Sequence, residues 1–400
     1  MPTEISATVN RPYVPESGGG ITCELDITPQ AQGQAAERHI ALCIDSSGSM
    51  AYDDKLDHAR DATELVFGIL NDDDYLSIVT FDEDIEVVMD ATRWGDIERE
   101  EAEERLQEIT TTGGTDIYSA LEEAEGILSG LERGESISKR VLLLSDGRDT
   151  RASAADFEPL AQDLTDAGIS IYSAGLGTNY GQDTIRSLGE FSQGRWAHVE
   201  NPADIRSFFG DVVQEASTVL SNNPELVLET VDGCEIGQAF RRLPQVQKIP
   251  LEHEEGKTII GLPDLQDREE QQVVLEMDAP PNDVGTEETL VDVTLEAGSN
   301  SAETEIAVTY SDDESELSVH DEDVTVAYYD TDLRTRIAHA DSQDELEAVK
   351  AKIDETEVIT GETEIADALH ENVTRIEEGD ESQARQVKEN TTGVYDPDEY

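Results

Sequence analysis

Residues 40–50, Ile-Ala-Leu-Cys-Ile-Asp-Ser-Ser-Gly-Ser-Met, hold the first side chains that could do chemistry. Asp45, Ser47 and Ser49 alternate, so in a tight loop their oxygens converge on one point, and Gly48 permits the sharp bend between them. Carboxylate and hydroxyl oxygens are hard ligands, suited to Mg²⁺ or Mn²⁺ rather than zinc or copper. The same residue types are favoured helix caps, so each position taken alone also has a purely structural explanation. The apolar run Ile40–Ile44 before the acid reads as a strand buried on both faces in the middle of a parallel sheet. Asp45 then stands at the carboxyl end of that strand, where open α/β sheets place their ligands.

Asp-x-Ser-x-Ser after a buried strand resembles the metal-ion-dependent adhesion site of the von Willebrand factor type A domain family. The family's site needs a Thr and an Asp from two later loops, and both are present in order. Thr112-Gly113-Gly114-Thr115-Asp116 offers Thr115 at the start of a helix, and Val141–Gly147 (Val-Leu-Leu-Leu-Ser-Asp-Gly) offers Asp146 at the end of a second apolar strand. The resemblance implies a metal site made of Asp45, Ser47, Ser49, Thr115 and Asp146. Asp116 is assigned to holding its loop or capping the helix. Arg148 and Asp149 lie at the rim, where exposed loop charges need have no specific role.

These loops need a scaffold, and the patterning of the chain supplies one. From about residue 38 to 220, strands alternate with helices, which predicts an α/β domain with a doubly wound, mainly parallel sheet. Leu56, Ala59, Ala62, Val66 and Ile69 recur at helical spacing after the Asp45 loop. Ile85–Met89 follows strand Tyr75–Phe81 after a short turn and is expected as an antiparallel edge hairpin. Residues 1–37 and 221–315 carry short alternating segments between turn residues and are expected to share one β-sandwich, into which the α/β domain is inserted. Residues 316–400 turn helical: Leu346, Val349 and Ile353 share a face, as do Ile365, Leu369, Val373 and Ile376. Two or three amphipathic helices and a frayed tail from 391 are expected there. This layout resembles prokaryotic proteins related to inter-alpha-trypsin-inhibitor heavy chains.

The charge balance is extreme, with 92 acidic against 27 basic residues and a formal net charge of −65, spread along every segment. Such a surface repels itself in ordinary salt, whereas at molar salt the screening length falls to roughly 3 Å. A salt-rich cytoplasm is the expected setting, and nucleic-acid binding is disfavoured. Met1–Ile5 has neither a basic region nor an apolar core, so no signal peptide is expected, and no stretch approaches the ~20 apolar residues of a membrane helix. Cys23, Cys43 and Cys234 lie far apart and form neither a zinc pattern nor an even disulfide set, so small buried hydrophobes in a reducing compartment are expected.

Enzyme readings fit poorly. A haloacid-dehalogenase-type phosphotransferase needs a second acid two residues after its first, and Ser47 occupies that place. A serine hydrolase wants Gly-x-Ser-x-Gly with a following acid and His, a frame that Ser47 and Ser49 lack. Gly175–Gly181 (Gly-Leu-Gly-Thr-Asn-Tyr-Gly) has one residue too many for a dinucleotide loop and reads as a plain strand-to-helix turn. The family resemblance instead implies a divalent-cation-dependent protein-binding module, whose metal is completed by an Asp or Glu of a protein partner. The alternative is an intracellular adaptor for an AAA+ ATPase of the MoxR or magnesium-chelatase type, which would be a separate protein since this chain has no Walker A pattern, and a Mg²⁺-dependent hydrolase is the lesser alternative.

Overall fold

The computed structural model describes residues 3–29, 36–132, 137–177, 179–201, 204–254, 256–267, 269–298 and 300–392. Of the frayed tail expected from 391, residues 393–400 lie outside the described residues. Two compact units form. One comprises residues 1–31, 224–262 and 268–400, the other residues 32–223 with 263–267.

The chain opens with β1 (Glu4–Val9), β2 (Tyr13–Val14) and β3 (Gly19–Thr28). The second unit then runs β4 (Glu37–Asp45), α1 (Lys55–Ile69), β5 (Tyr75–Phe81), β6 (Ile85–Arg93), α2 (Arg99–Gln107), α3 (Ile117–Ser129), β7 (Ile137–Ser145), α4 (Ala154–Asp166), β8 (Ile169–Leu176), α5 (Gln182–Phe191), β9 (Arg195–Val199), α6 (Ile205–Ala216) and β10 (Val219–Ser221). Its sheet has the order β6-β5-β4-β7-β8-β9, parallel throughout except for the antiparallel edge strand β6. This is the doubly wound arrangement expected from the alternation of strands and helices, and the Ile85 segment is the edge hairpin.

Alternation along the central strands builds both layers of core. Ile40, Leu42 and Ile44 of β4 and Leu142 and Leu144 of β7 face α1, α2 and α6, where Leu56, Val66, Leu106 and Phe209 meet them. Ala41, Cys43, Val141 and Leu143 face the other way, onto Leu121, Phe157, Leu160 and Leu188 of α3, α4 and α5. Each large side chain so buried contributes roughly 1.5–3 kcal/mol. Both faces of β4 are therefore covered from Ile40 to Ile44, and the first polar position after that run is Asp45 at its carboxyl end.

The amino ends of the same strands carry two buried arginines. Arg38 of β4 pairs with Asp74, whose oxygens also accept the Arg38 and Asn71 backbone amides at 2.9 and 2.6 Å, and both side chains are nearly inaccessible. Arg140 of β7 donates to Ser138 Oγ at 3.2 Å and faces Asp264 at 3.5 Å. Both guanidiniums also reach the last turn of α6, donating to the Val213 and Val212 carbonyls at 3.2 and 2.8 Å. Cations at a helix carboxyl end complement its dipole.

The remaining strands are β11 (Glu225–Thr230), β12 (Glu235–Leu243), β13 (Gln247–Ile249), β14 (Glu252–Glu254), β15 (Lys257–Gly261), β16 (Leu265–Gln266), β17 (Gln271–Ala279), β18 (Glu287–Ala297) and β19 (Asn300–Tyr310). In the first unit they make two sheets, β1-β3-β17-β12-β13 and β14-β15-β11-β18-β19-β2, with β3 paired to β17 and β2 to β19. The short β16 pairs with β10 in the second unit.

The helical end comprises α7 (Glu314–Leu317), α8 (Glu322–His339), α9 (Gln343–Thr360), α10 (Thr363–Glu378) and α11 (Glu381–Thr392). The stripes expected from Leu346 and from Ile365 meet in one cluster with Leu333 and Ile337. Among the described residues there are four long helices rather than two or three, because the buried face of α11 is polar and half of the buried residues of α8 are. Asp330, Thr331 and Arg334 are buried on α8, as are Arg385, Lys388 and Thr391 on α11. A helix whose hidden face carries an ion pair such as Arg334–Asp330 at 2.8 Å has no apolar period to read. The three cysteines are free and buried, and burial pushes the Cys43 thiol up to about 12. No helix among the described residues is long and apolar enough to cross a membrane.

Replacing Asp74 by Ala strands a buried guanidinium without its counter-charge. The expected cost is about 3–5 kcal/mol of unfolding free energy, read by denaturant titration, and a loss below about 1 kcal/mol would refute the buried pair as a structural element.

Candidate functional site

Three loops meet at the carboxyl ends of β4, β5 and β7. The backbone of the first is stitched to its neighbours: Ser46 N donates to Phe81 O at 2.8 Å, Thr112 N to Ser46 O at 2.8 Å, and Gly48 N to Gly113 O at 3.3 Å. Gly113 holds φ +65°, and a Cβ there would come within 3.1–3.3 Å of Asp82 and Glu83, so this crossing requires glycine.

Asp45 is fully buried at the centre. One of its oxygens accepts Ser47 N at 2.7 Å and the other accepts Ser145 Oγ at 2.5 Å. Burial pushes its carboxyl up to about 6, opposed by the hydrogen bonds from Ser145 and Ser47 and reinforced by the negative charge of Asp146.

Around it runs a chain of oxygens. Ser49 Oγ donates to Asp146 Oδ1 at 2.6 Å, and the Ser47 and Ser49 hydroxyls are 3.0 Å apart. A hydroxyl has one proton, so with the Ser49 proton on Asp146 it is Ser47 that donates to Ser49. The lone pairs of Ser47 are left for another partner. Asp146 Oδ2 accepts the Lys55 ammonium at 2.6 Å.

Thr115 arrives from the second loop. Its carbonyl accepts both Thr150 N and Thr150 Oγ1 at 2.9 Å, while its hydroxyl has no hydrogen-bond partner among the described residues. A Cβ on Gly147 would sit 2.6 Å from Thr115 Oγ1, so the glycine after Asp146 lets this hydroxyl approach the third loop. The structure thus joins Ser47, Ser49 and Asp146 in one chain, ties Asp45 to it through Ser47 and the β7 end, and sets Thr115 beside Gly147.

The neighbours have defined tasks. Asp116 is buried; it caps α3 by accepting Ser119 N at 3.1 Å and pairs with Arg151 through its other oxygen. Asp149 is more than a rim charge. Its carboxylate accepts Ile117 N at 2.7 Å and Tyr118 N at 3.1 Å at the α3 amino end, with Arg151 N at 2.7 Å and Ala152 N at 2.6 Å on its other oxygen. It fastens the third loop to the second. The Gly175–Gly181 turn is explained by packing: a Cβ on Gly175 would lie 2.2 Å from the buried Tyr180 ring.

Sequence reasoning missed Ser145, Lys55 and the stapling role of Asp149. Ser145 was legible in principle, as a hydroxyl next to Asp146 at a strand end. Lys55 had no local signal.

The donor set is two carboxylates and three hydroxyls, all oxygen, with the Ser47 lone pairs and the Thr115 hydroxyl uncommitted. Among the described residues no group of three or more His, Cys, Asp or Glu is arranged to hold a metal. The oxygens do suit a small hard cation that keeps part of its water. Removing the Ser145 hydroxyl takes one of the two hydrogen bonds from a buried carboxylate, so Ser145→Ala is expected to cost about 1–3 kcal/mol in chemical denaturation. No loss would mean that the Asp45–Ser145 contact is incidental.

Comparison with known proteins bears on the same loops. The model of the von Willebrand factor type A domain matches residues 39–211. A second model of that description matches 314–389, a stretch that is helical here and contains no strand. A von Willebrand factor type A protein from Catenulispora acidiphila superposes with a TM-score of 0.84 at 16% identity, covering 98% of this chain and 97% of that one. An ArnB paralog from Sulfolobus acidocaldarius gives 0.67 at 17% identity, with 98% of each chain covered. An uncharacterized protein of Synechocystis is 25% identical over 197 residues, 48% of this chain and 44% of that protein, so the chain spans less than half of that relative. The matched segment, its β6-β5-β4-β7-β8-β9 sheet and the fold of these neighbours agree: residues 39–211 are a von Willebrand factor type A domain.

Proposed function

We propose that this domain is a divalent-cation-dependent protein-binding module, with Mg²⁺ or Mn²⁺ held by Asp45, Ser47, Ser49, Thr115 and Asp146. A bound cation would supply an electrophilic centre open to an Asp or Glu carboxylate of a protein partner. The observation that carries this reading is the oxygen chain Ser47–Ser49–Asp146 from two loops, with Thr115 of another loop set beside Gly147 and with the Ser47 lone pairs and the Thr115 hydroxyl uncommitted. Helix capping explains Asp116 and Asp149, but not Asp45, Ser47 or Thr115, whose side chains cap no helix. Asp45 holds its loop closed through Ser47 and Ser145, and Ser49 orients Asp146. Only two of the five donors are charged, which suits binding to a partner carboxylate. Type A domains are in general interaction modules rather than enzymes.

The test is a melting experiment with Mg²⁺ alone, followed by affinity capture from lysate at molar KCl. Millimolar Mg²⁺ is expected to raise the Tm of the wild type and not of Asp45→Ala, since a ligand that binds only the folded state stabilises it. Capture is expected to recover a protein with Mg²⁺ and not with EDTA. An AAA+ ATPase among the captured proteins would identify the adaptor role. A Tm shift equal in both forms, or capture indifferent to EDTA, would sink the reading.

A salt-rich cytoplasm is the setting we infer from the charge balance, with exposed acids such as Glu98, Glu100, Glu101 and Glu104 crowding α2 and its approach. Tm is therefore expected to rise between 0.1 M and 2 M KCl as repulsion is screened, and a flat or falling profile would contradict that setting.

A further inference from the structure

Lys55 is the residue that neither the motif nor helix formation accounts for. Its ammonium lies 2.6 Å from Asp146 Oδ2, with its side chain 14% exposed and that of Asp146 inaccessible. It is the first residue of α1, where the helix dipole disfavours a cation and favours the acids that surround it, Asp53, Asp54 and Asp57. The approach to it is strained as well. Asp53 and Asp54 both hold φ +56°, a left-handed backbone uncommon outside glycine, and Asp54 makes no capping hydrogen bond in return. Lysine is scarce too, with seven in the 400 residues. Three locally unfavourable choices thus converge on one contact, the ammonium on Asp146.

We propose that Lys55 is the internal counter-ion of the metal site, a tethered cation that competes with the divalent ion for Asp146 and so sets the site's affinity. The inference rests on the metal-binding reading above. With Asp45, Asp146 and Lys55 charged, the cluster carries one net negative charge. A divalent cation takes it to one positive charge, and a single carboxylate from a partner returns it to neutrality. The ammonium therefore weakens metal binding by the free protein and, once the cation is in place, favours an anionic partner.

The experiment is calorimetric titration of the full chain with Mg²⁺ in KCl of fixed concentration, using Lys55→Met, Lys55→Arg, Lys352→Met and wild type. Asp45→Ala in each background measures cation uptake by the acidic surface, and only the part it abolishes is counted. Lys55→Met keeps the apolar stem and removes the charge, and it is expected to bind Mg²⁺ at least about tenfold more tightly, a difference of ~1.4 kcal/mol. Lys55→Arg keeps the charge and is expected to match the wild type. Lys352, half-buried on α9 and paired with Glu355, controls for the change in net charge, and its Met variant is expected to match the wild type. Asp45-dependent binding that is equal or weaker in Lys55→Met than in wild type overturns this proposal and leaves the metal reading standing. Tightening in Lys352→Met as strong as in Lys55→Met also overturns it. Absence of Asp45-dependent binding from both wild type and Lys55→Met overturns the proposal and the metal reading together.

Discussion

A carboxylate with no exposed surface has to be satisfied by the protein around it, and Asp45 is satisfied by the end of the neighbouring strand. The Ser145 hydroxyl reaches it across the β4–β7 ladder, in which Ile44 and Leu144 are partners. That register is itself fixed by packing. Ile40, Leu42 and Ile44 must share one layer with Leu142 and Leu144, and Ala41 and Cys43 the other with Val141 and Leu143. A slip of one residue would turn every one of these side chains to the wrong face and carry Ser145 with them. The apolar alternation of two strands, far from any ligand in chemical character, thus decides whether two oxygens meet at the top of the sheet.

The opposite end of the sheet is held by charge. Arg38 and Arg140 enter the ladder where a hydrophobic strand would have been simpler, and each is matched by an acid and by a carbonyl of α6. Buried pairs of this kind seldom add net stability over an apolar core, but losing one member is costly. They fix where α6 ends against β4 and β7. The domain is pinned at one end by arginines on a helix terminus and at the other by hydroxyls on carboxylates, with an apolar slab between.

What could be read from the residues alone follows from which interactions are local. The strand runs before Asp45 and Asp146 are contiguous, so their ends, and the family of the domain, were visible. Thr115 was reached through the family resemblance, which asks for a Thr from a later loop. Lys55 was not, since its partner lies 91 residues away and its own neighbours argue for an acid. Asp149 looked like a surface charge because backbone amides, which have no letter in a sequence, are its partners. The C-terminal helices α9 and α10 were legible by their Leu and Ile stripes, whereas α8 and α11 hide polar side chains and give no such period.

The strand pairing of the first unit also sets an order of events for a chain made from its amino end. β3 lies between β1 and β17, and its pairing with β17 joins residues 19–28 to residues 271–279. At 5–20 residues per second, roughly ten to fifty seconds separate the emergence of the two strands. During that interval β3 presents an open edge beside the apolar row Ile21, Cys23, Leu25 and Ile27. Glu24 and Asp26 alternate with that row, and charge on a waiting edge discourages pairing with a foreign strand. On the ribosome these two acids act as a guard for a partner that the chain has yet to make.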